Sequence, residues 1–242
     1  VSENDCFAMF YTSGTTALPK GAMVSHMNLE MNGYNQIIAD AATATDINLV
    51  STPLYHMGAV FMAVSYMMLS CTQHVLSRFS AVDWLKQMQS SEASVSLLIP
   101  TMINSVINEA SLSDYNLSAL RLIFYGGGPM PPAVLERAIS GLGCNFTQGY
   151  GLTETLEAHV LNGNELQQKR LGSAGREAVG AEVRIIDAEG IDVPTNEVGE
   201  ILIRSRSVIK AYWEMPEESD RVIRDGWFHT GDLGKLDEDR YL

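Results

Sequence analysis

From Cys6 to Thr147, short runs of β-branched and aromatic residues alternate with stretches whose apolar positions recur at helical spacing. That alternation predicts an α/β layer with parallel strands. Strands are predicted over Cys6–Tyr11, Asn48–Ser51, Gln73–Leu76, Val95–Ile99, Arg121–Tyr125 and Asn145–Gln148. Helices are predicted between them: from Ser25, as N-cap, to about Ala39, then His56–Leu69, Ala81–Gln89, Thr101–Glu109, and Pro131–Ser140, whose prolines suit a first turn. After Gly151 the texture changes. Glu182–Asp187 and Glu200–Arg204 alternate polar and apolar residues between turn signals at Glu189-Gly190 and Val198-Gly199. A smaller β-rich subdomain is expected from about Leu171, which divides the chain into residues 1–170 and 171–242.

Composition narrows the class. The 242 residues are 46% hydrophobic and 19% charged, a soluble globular balance with no internal period. Sixteen basic against 29 acidic residues give a net charge of -13, which argues against a nucleic-acid footprint and against an anionic membrane surface. Any anionic ligand must be gripped locally. Cys6, Cys71 and Cys144 form no CxxC and have no histidine at metal spacing, so a disulfide framework or zinc site is not expected and a reducing cytoplasm fits. No Asp, Glu, Lys or Arg occurs from Ile47 to Ser77, and Met57–Cys71 is nearly all apolar. Pro53 and Gly58 interrupt the stretch, its apolar part falls short of the roughly 20 residues of a spanning helix, and basic flanks are missing. A buried helix, or one lining an apolar pocket, is expected instead of a transmembrane segment. Both ends of the chain look cut, which predicts a fragment of a longer protein.

Candidate chemistry clusters in five places. The loop Thr12-Ser13-Gly14-Thr15-Thr16-Ala17-Leu18-Pro19-Lys20-Gly21 follows the first predicted strand. Small residues let backbone N–H groups converge on an anion, hydroxyls add donors, and Lys20 adds a charge able to follow a polyphosphate. Pro19 and Gly21 on either side of the lysine exclude a Walker A loop. Gly126-Gly127-Gly128-Pro129 ends a strand before a helix, where open α/β sheets place ligands and a flat ring could approach the backbone; a plain strand-to-helix turn reads equally well. In Gln148–Glu154, Tyr150 beside Gly151 could stack on a base, Thr153 donate to a phosphate, and Glu154 hold Mg²⁺; the alternative is a turn with a half-buried tyrosine. Asp232, after Gly231, suits a vicinal diol, with His229 structural. His56 starts the charge-free helix, where a satisfied structural histidine is the usual reading.

In this order and spacing the segments Tyr11–Gly21, Pro53–Gly58, Gly126–Pro129, Tyr150–Glu154 and Trp227–Asp232, with Gly199–Arg204 and Tyr212-Trp213, resemble the adenylate-forming superfamily of acyl-CoA synthetases, peptide-synthetase adenylation domains and firefly-type luciferases. The resemblance covers essentially the whole chain. It implies the α/β large domain of that family, incomplete at its N-terminal side, plus a β-rich subdomain, with the C-terminal lid domain absent. It further implies ATP-dependent activation of a carboxylic acid to an acyl-adenylate, then transfer to coenzyme A. In that picture Thr12–Lys20 holds the β- and γ-phosphates. Gly126, Gly127, Gly128 and Tyr150, with Gly151, frame the adenine; Thr153 contacts the α-phosphate, Glu154 holds Mg²⁺, Asp232 takes the ribose, and His56 sits by the substrate carboxylate or gates the acyl tunnel.

Tyr55-His56-Met57-Gly58, with no aspartate for an amino group, resembles the CoA-ligase branch. Met57, Met62, Met67 and Met68 would suit an aliphatic acid, or simply pack a core. Two positions depart from the family pattern: Ala17 replaces a loop glycine, and Arg240 replaces a turn glycine. The lid domain's catalytic lysine would also be missing, so the fragment is expected to be inactive or weak. A peptide-synthetase-type or luciferase-like enzyme and a non-catalytic nucleotide-binding module remain open, as do the acid's identity and a homodimer.

Overall fold

The computed structural model describes residues 1–12, 19–156, 159–161, 163 and 170–242. In chain order the elements are β1 (Cys6–Thr12), β2 (Lys20–Ser25), α1 (His26–Ala39), β3 (Ile47–Val50), α2 (Met57–Met68), β4 (Thr72–Val75), α3 (Ala81–Ser91), β5 (Val95–Leu98), α4 (Pro100–Ile107), β6 (Leu122–Tyr125), α5 (Pro132–Leu142), β7 (Asn145–Tyr150), β8 (His159–Leu161), β9 (Arg176–Glu177), β10 (Ala181–Ile186), β11 (Gly199–Ser205), α6 (Pro216–Val222), β12 (Ile223–Arg224) and β13 (Trp227–Gly234). They form two compact units. One comprises Val1–Asn35, Tyr150–Val160 and Ala174–Leu242, the other Gln36–Gly149 and Leu161–Ser173.

The second unit is the expected α/β layer. Its strands run parallel in the order β4-β3-β5-β6-β7. All four residues of β5 and of β6 are buried, the continuous apolar run of a strand covered on both faces. Trp84, Leu85 and Met88 of α3, Ile103 and Val106 of α4, and Leu135 and Ala138 of α5 are buried as well. Local chemistry sets the helix ends. Ser80 Oγ accepts from Asp83 N at 3.1 Å, prolines open α4 and α5, and Gly143 ends α5 at φ +63°. The charge-free α2 is a core helix on one face, which buries Met57, Phe61, Met62 and Tyr66, while Met67 and Met68 are exposed. The four methionines therefore line no common surface. No helix among the described residues is long and apolar enough to cross a membrane.

The first unit corrects one expectation. Cys6–Tyr11 is a strand, but it does not join the parallel layer; β1 pairs antiparallel with β2, which the sequence pattern missed. Thr12 lies opposite Lys20 at the end of that pairing. Ser25 then caps α1 reciprocally with Asn28: Ser25 Oγ accepts from Asn28 N at 3.1 Å, and Asn28 Oδ1 accepts from Ser25 N at 2.8 Å. Downstream, β10, β11, β13 and β12 form an antiparallel sheet in that order. One face of it buries Val183, Ile185, Ile201 and Ile203, with Tyr150 and Leu236 packed against them. The expected terminal turn is present, with Asp237 N donating to Tyr241 O at 3.0 Å. Arg240 adopts the left-handed conformation there, φ +63°, that a glycine would take without strain. Its guanidinium is clasped by Glu177.

Candidate functional site

Glu154 sits in a tight turn in which Thr155 Oγ1 accepts from Leu152 N at 2.9 Å and Leu156 N donates to Leu152 O at 2.8 Å. Thr153, half-buried, shares the turn, and Gly151 before it is exposed. Residues 207–212 support it from outside: Ser207 Oγ donates to Thr155 O at 3.0 Å and Ile209 N to Glu154 O at 2.8 Å. Glu154 is buried, yet among the described residues only hydroxyls bond its carboxylate. Oε1 accepts from Tyr212 at 2.6 Å and from Thr12 at 3.5 Å. Burial, and then the bond to Glu154 and its charge, push the Tyr212 hydroxyl above the usual phenol range, so it stays protonated and donates.

A buried carboxylate with no lysine or arginine paired to it among the described residues is a donor set that suits a cation. No group of three His, Cys, Asp or Glu able to hold a metal occurs among the described residues. One carboxylate with hydroxyl neighbours therefore fits Mg²⁺ that arrives with phosphates better than a metal held by protein alone.

Lys20 is placed differently from a free phosphate-following charge. It is 5% exposed, ion-paired with Glu218, and its ammonium lies 5.4 Å from the Tyr212 ring centroid. The bonds from Lys20 and then Arg221 lower the Glu218 carboxyl from its ordinary value. Ser13, Gly14, Thr15, Thr16 and Ala17 lie outside the described residues.

Asp232 owes its position to a bulge. Between the pairs Glu200↔Leu233 and Leu202↔His229, β11 contributes Ile201 alone while β13 contributes Thr230, Gly231 and Asp232. Gly231 takes φ +74° and its N–H donates to Glu200 Oε1 at 3.1 Å; Asp232 N donates to Thr230 Oγ1 at 3.0 Å. Asp232 is thus exposed at the rim of the sheet, with Oδ2 accepting from the Tyr150 hydroxyl at 2.8 Å. Burial and that bond keep Tyr150 protonated well above the usual phenol value. His229 is braced by Arg224 at 2.8 Å and Glu200 at 3.2 Å, as a structural histidine would be.

The remaining candidates lie at the carboxyl ends of the parallel strands. Tyr125, which closes β6, donates to Gln148 of β7 at 2.9 Å. A Cβ on Gly126 would fall 2.8 Å from Gly149 O, so glycine is required there by chain packing. Gly127 takes φ +75°, and a Cβ on Gly128 would meet nothing within 4 Å, which leaves that face open to a flat ring. His56 is exposed at the start of α2, makes no capping bond, and rests beside the Tyr55 ring at 4.7 Å. Two contributors carried no role in the sequence reading. Tyr212 was visible only as part of a motif, and Glu218 carried no local signal.

A family model described as "AMP-binding enzyme" matches residues 1–213, and the chain belongs to that family. It is similar to the feruloyl-CoA synthase of an Amycolatopsis species, 33% identical over all of this chain and 49% of the relative. It is also similar to the fatty acid–[acyl-carrier-protein] ligase ScoC of Streptomyces coeruleorubidus, 31% identical over 97% of this chain and 47% of that one. Among solved structures, o-succinylbenzoate coenzyme A synthetase from Bacillus subtilis, in complex with ATP and magnesium ion, superposes with a TM-score of 0.90 at 29% identity, over 99% of this chain and 50% of that one. The chain spans about half the length of the curated relatives it matches.

Proposed function

We propose that the protein bearing this chain activates a carboxylic acid with ATP, forming an acyl-adenylate and pyrophosphate, and passes the acyl group to the thiol of coenzyme A. The observation that carries this reading is one compact unit holding Thr12, Lys20, Glu154, Tyr150 and Asp232, with Glu154 buried and, among the described residues, bonded only by hydroxyls. When bound, Mg²⁺ neutralises phosphate charge; Glu154 is the residue that would hold it. Attack of one anion on another needs such neutralisation and fixed donors. Residues 12–20 grip the β- and γ-phosphates, and Thr153 donates to the α-phosphate. Asp232, its Oδ2 already engaged by Tyr150, offers Oδ1 to the ribose hydroxyls. The Tyr150 ring takes the adenine.

A fatty acid is the first candidate substrate, on the strength of the charge-free stretch around α2, with aryl acids next. The likeness to ScoC supports a second reading of the acceptor alone, a carrier-protein thiol in place of coenzyme A. A cytoplasmic setting is consistent with Cys6, Cys71 and Cys144 being free thiols. The test is a panel of aliphatic and aryl acids scored by AMP release with and without coenzyme A. Acid-dependent AMP release that rises with coenzyme A is expected; nucleotide binding with no acid dependence would overturn the reading in favour of a non-catalytic module.

A further inference from the structure

We propose that Tyr212 is a positioning residue: its hydroxyl holds Oε1 of Glu154 and thereby reserves Oε2 for a divalent cation carried in by the nucleotide. This rests on the reading of Glu154 given above. The two bonds to Oε1 are unequal. At 2.6 Å the Tyr212 bond has the length of a hydroxyl donating to a charged carboxylate, whereas the Thr12 bond, at 3.5 Å, is at the edge of bonding. Among the described residues no donor is bonded to Oε2.

Tyr212 can act as a fixed point because its own backbone is locked. It is 5% exposed, its N–H donates to Ser219 Oγ at 2.9 Å, and it bridges Ala22 in antiparallel fashion. On either side, Met23 N donates to Ala211 O at 3.1 Å and Trp213 N to Gly21 O at 2.8 Å. The same segment also holds the Glu154 carbonyl through Ile209 N. Glutamate loses side-chain entropy when it is fixed by a ligand. Here the chain imposes that cost during folding, so a cation meets a carboxylate already aimed. Thr12 and Lys20, opposite each other in the hairpin, both touch the Tyr212–Glu154 pair. The pair is therefore a common anchor for the two ends of the phosphate-loop segment.

The test compares Y212F, E154Q and the double variant, using Mn²⁺·ATP binding followed by the electron paramagnetic resonance signal of free Mn²⁺, and metal-free ATP binding followed by calorimetry in EDTA. Phenylalanine keeps the ring beneath Lys20 and removes only the hydroxyl. Y212F is expected to weaken Mn²⁺·ATP binding about tenfold, the scale of losing a hydrogen bond behind a metal ligand. Metal-free ATP binding should stay within about twofold, and the Y212F effect should vanish in the E154Q background. A Y212F chain that loses both kinds of binding alike, or neither while E154Q loses Mn²⁺·ATP binding, overturns the role of Tyr212 alone. An E154Q chain that keeps its Mn²⁺·ATP affinity overturns the metal role of Glu154, and that of Tyr212 with it.

Discussion

Asp40, at the end of α1, is buried with Gln36 Nε2 donating to its Oδ2 at 2.5 Å and Tyr66 donating to the same oxygen at 3.0 Å. Among the described residues, its Oδ1 and Gln36 Oε1 have no hydrogen-bond partner. Burial raises the carboxyl to about 6 against the bonds from Gln36 and Tyr66, the charge of Arg121 and the hydroxyl of Thr147. The unfolded acid loses its proton near its ordinary 3.8 and the folded acid near about 6. The folded state therefore binds more proton in that window, and stability falls as pH rises through it, by up to about 1.4 kcal/mol per pH unit. D40N, an isostere of the neutral acid, should flatten the slope and be the more stable form above pH 6, as read from urea denaturation at about pH 5 and pH 7.5. Such pairings lay beyond the reach of the sequence reading because they depend on which residues burial brings together. The same holds for Lys20, whose charge was legible but whose partner Glu218 lies 198 positions away.

Among the elements, the junction of β6 and β7 is closely packed. A Cβ on Gly149 would stand 2.4 Å from Phe124 Cζ, and Phe124 is itself buried against Phe61 at 5.6 Å. G149A should lower stability by about 1 to 3 kcal/mol, the range for overpacking a core, and a lowered melting temperature is the check. G128A, in open space, is the control that should leave melting unchanged. Most of the parallel strands and their helices were legible because they announce themselves locally: buried runs in β5 and β6, Ser80 at the start of α3, prolines at the starts of α4 and α5, and Gly143 at the end of α5. The strand β2 did not. Gly21 and the Ser25 cap read as a loop entering a helix, and what makes Lys20–Ser25 a strand is its partner β1. The bulge that presents Asp232 was half legible: Gly231 flagged a turn, but the unequal spans of β11 and β13 appear only when the register is set.

Taken over all 242 residues, the charge of -13 opposes every nucleotide that approaches. Long-range repulsion of this kind is screened by salt, as the Debye length contracts from about 30 Å at 10 mM to about 8 Å at 150 mM. The association rate of Mg²⁺·ATP should consequently rise across that range, and stopped-flow measurement with a fluorescent ATP analogue tests it; a fall would point to a local field that attracts the nucleotide. Each compact unit is assembled from separate stretches of chain, with crossings after residues 35, 149, 160 and 173. The first of those crossings falls inside α1, where the helical pattern runs on without a break. The bridge between Ala22 and Tyr212 sets a clock on synthesis. At about 5–20 residues per second, the hairpin of β1 and β2 leaves the ribosome about 10 to 40 seconds before the tyrosine that anchors it exists. Through that interval Ala22 and Val24, both fully buried in the finished fold, must wait without their cover.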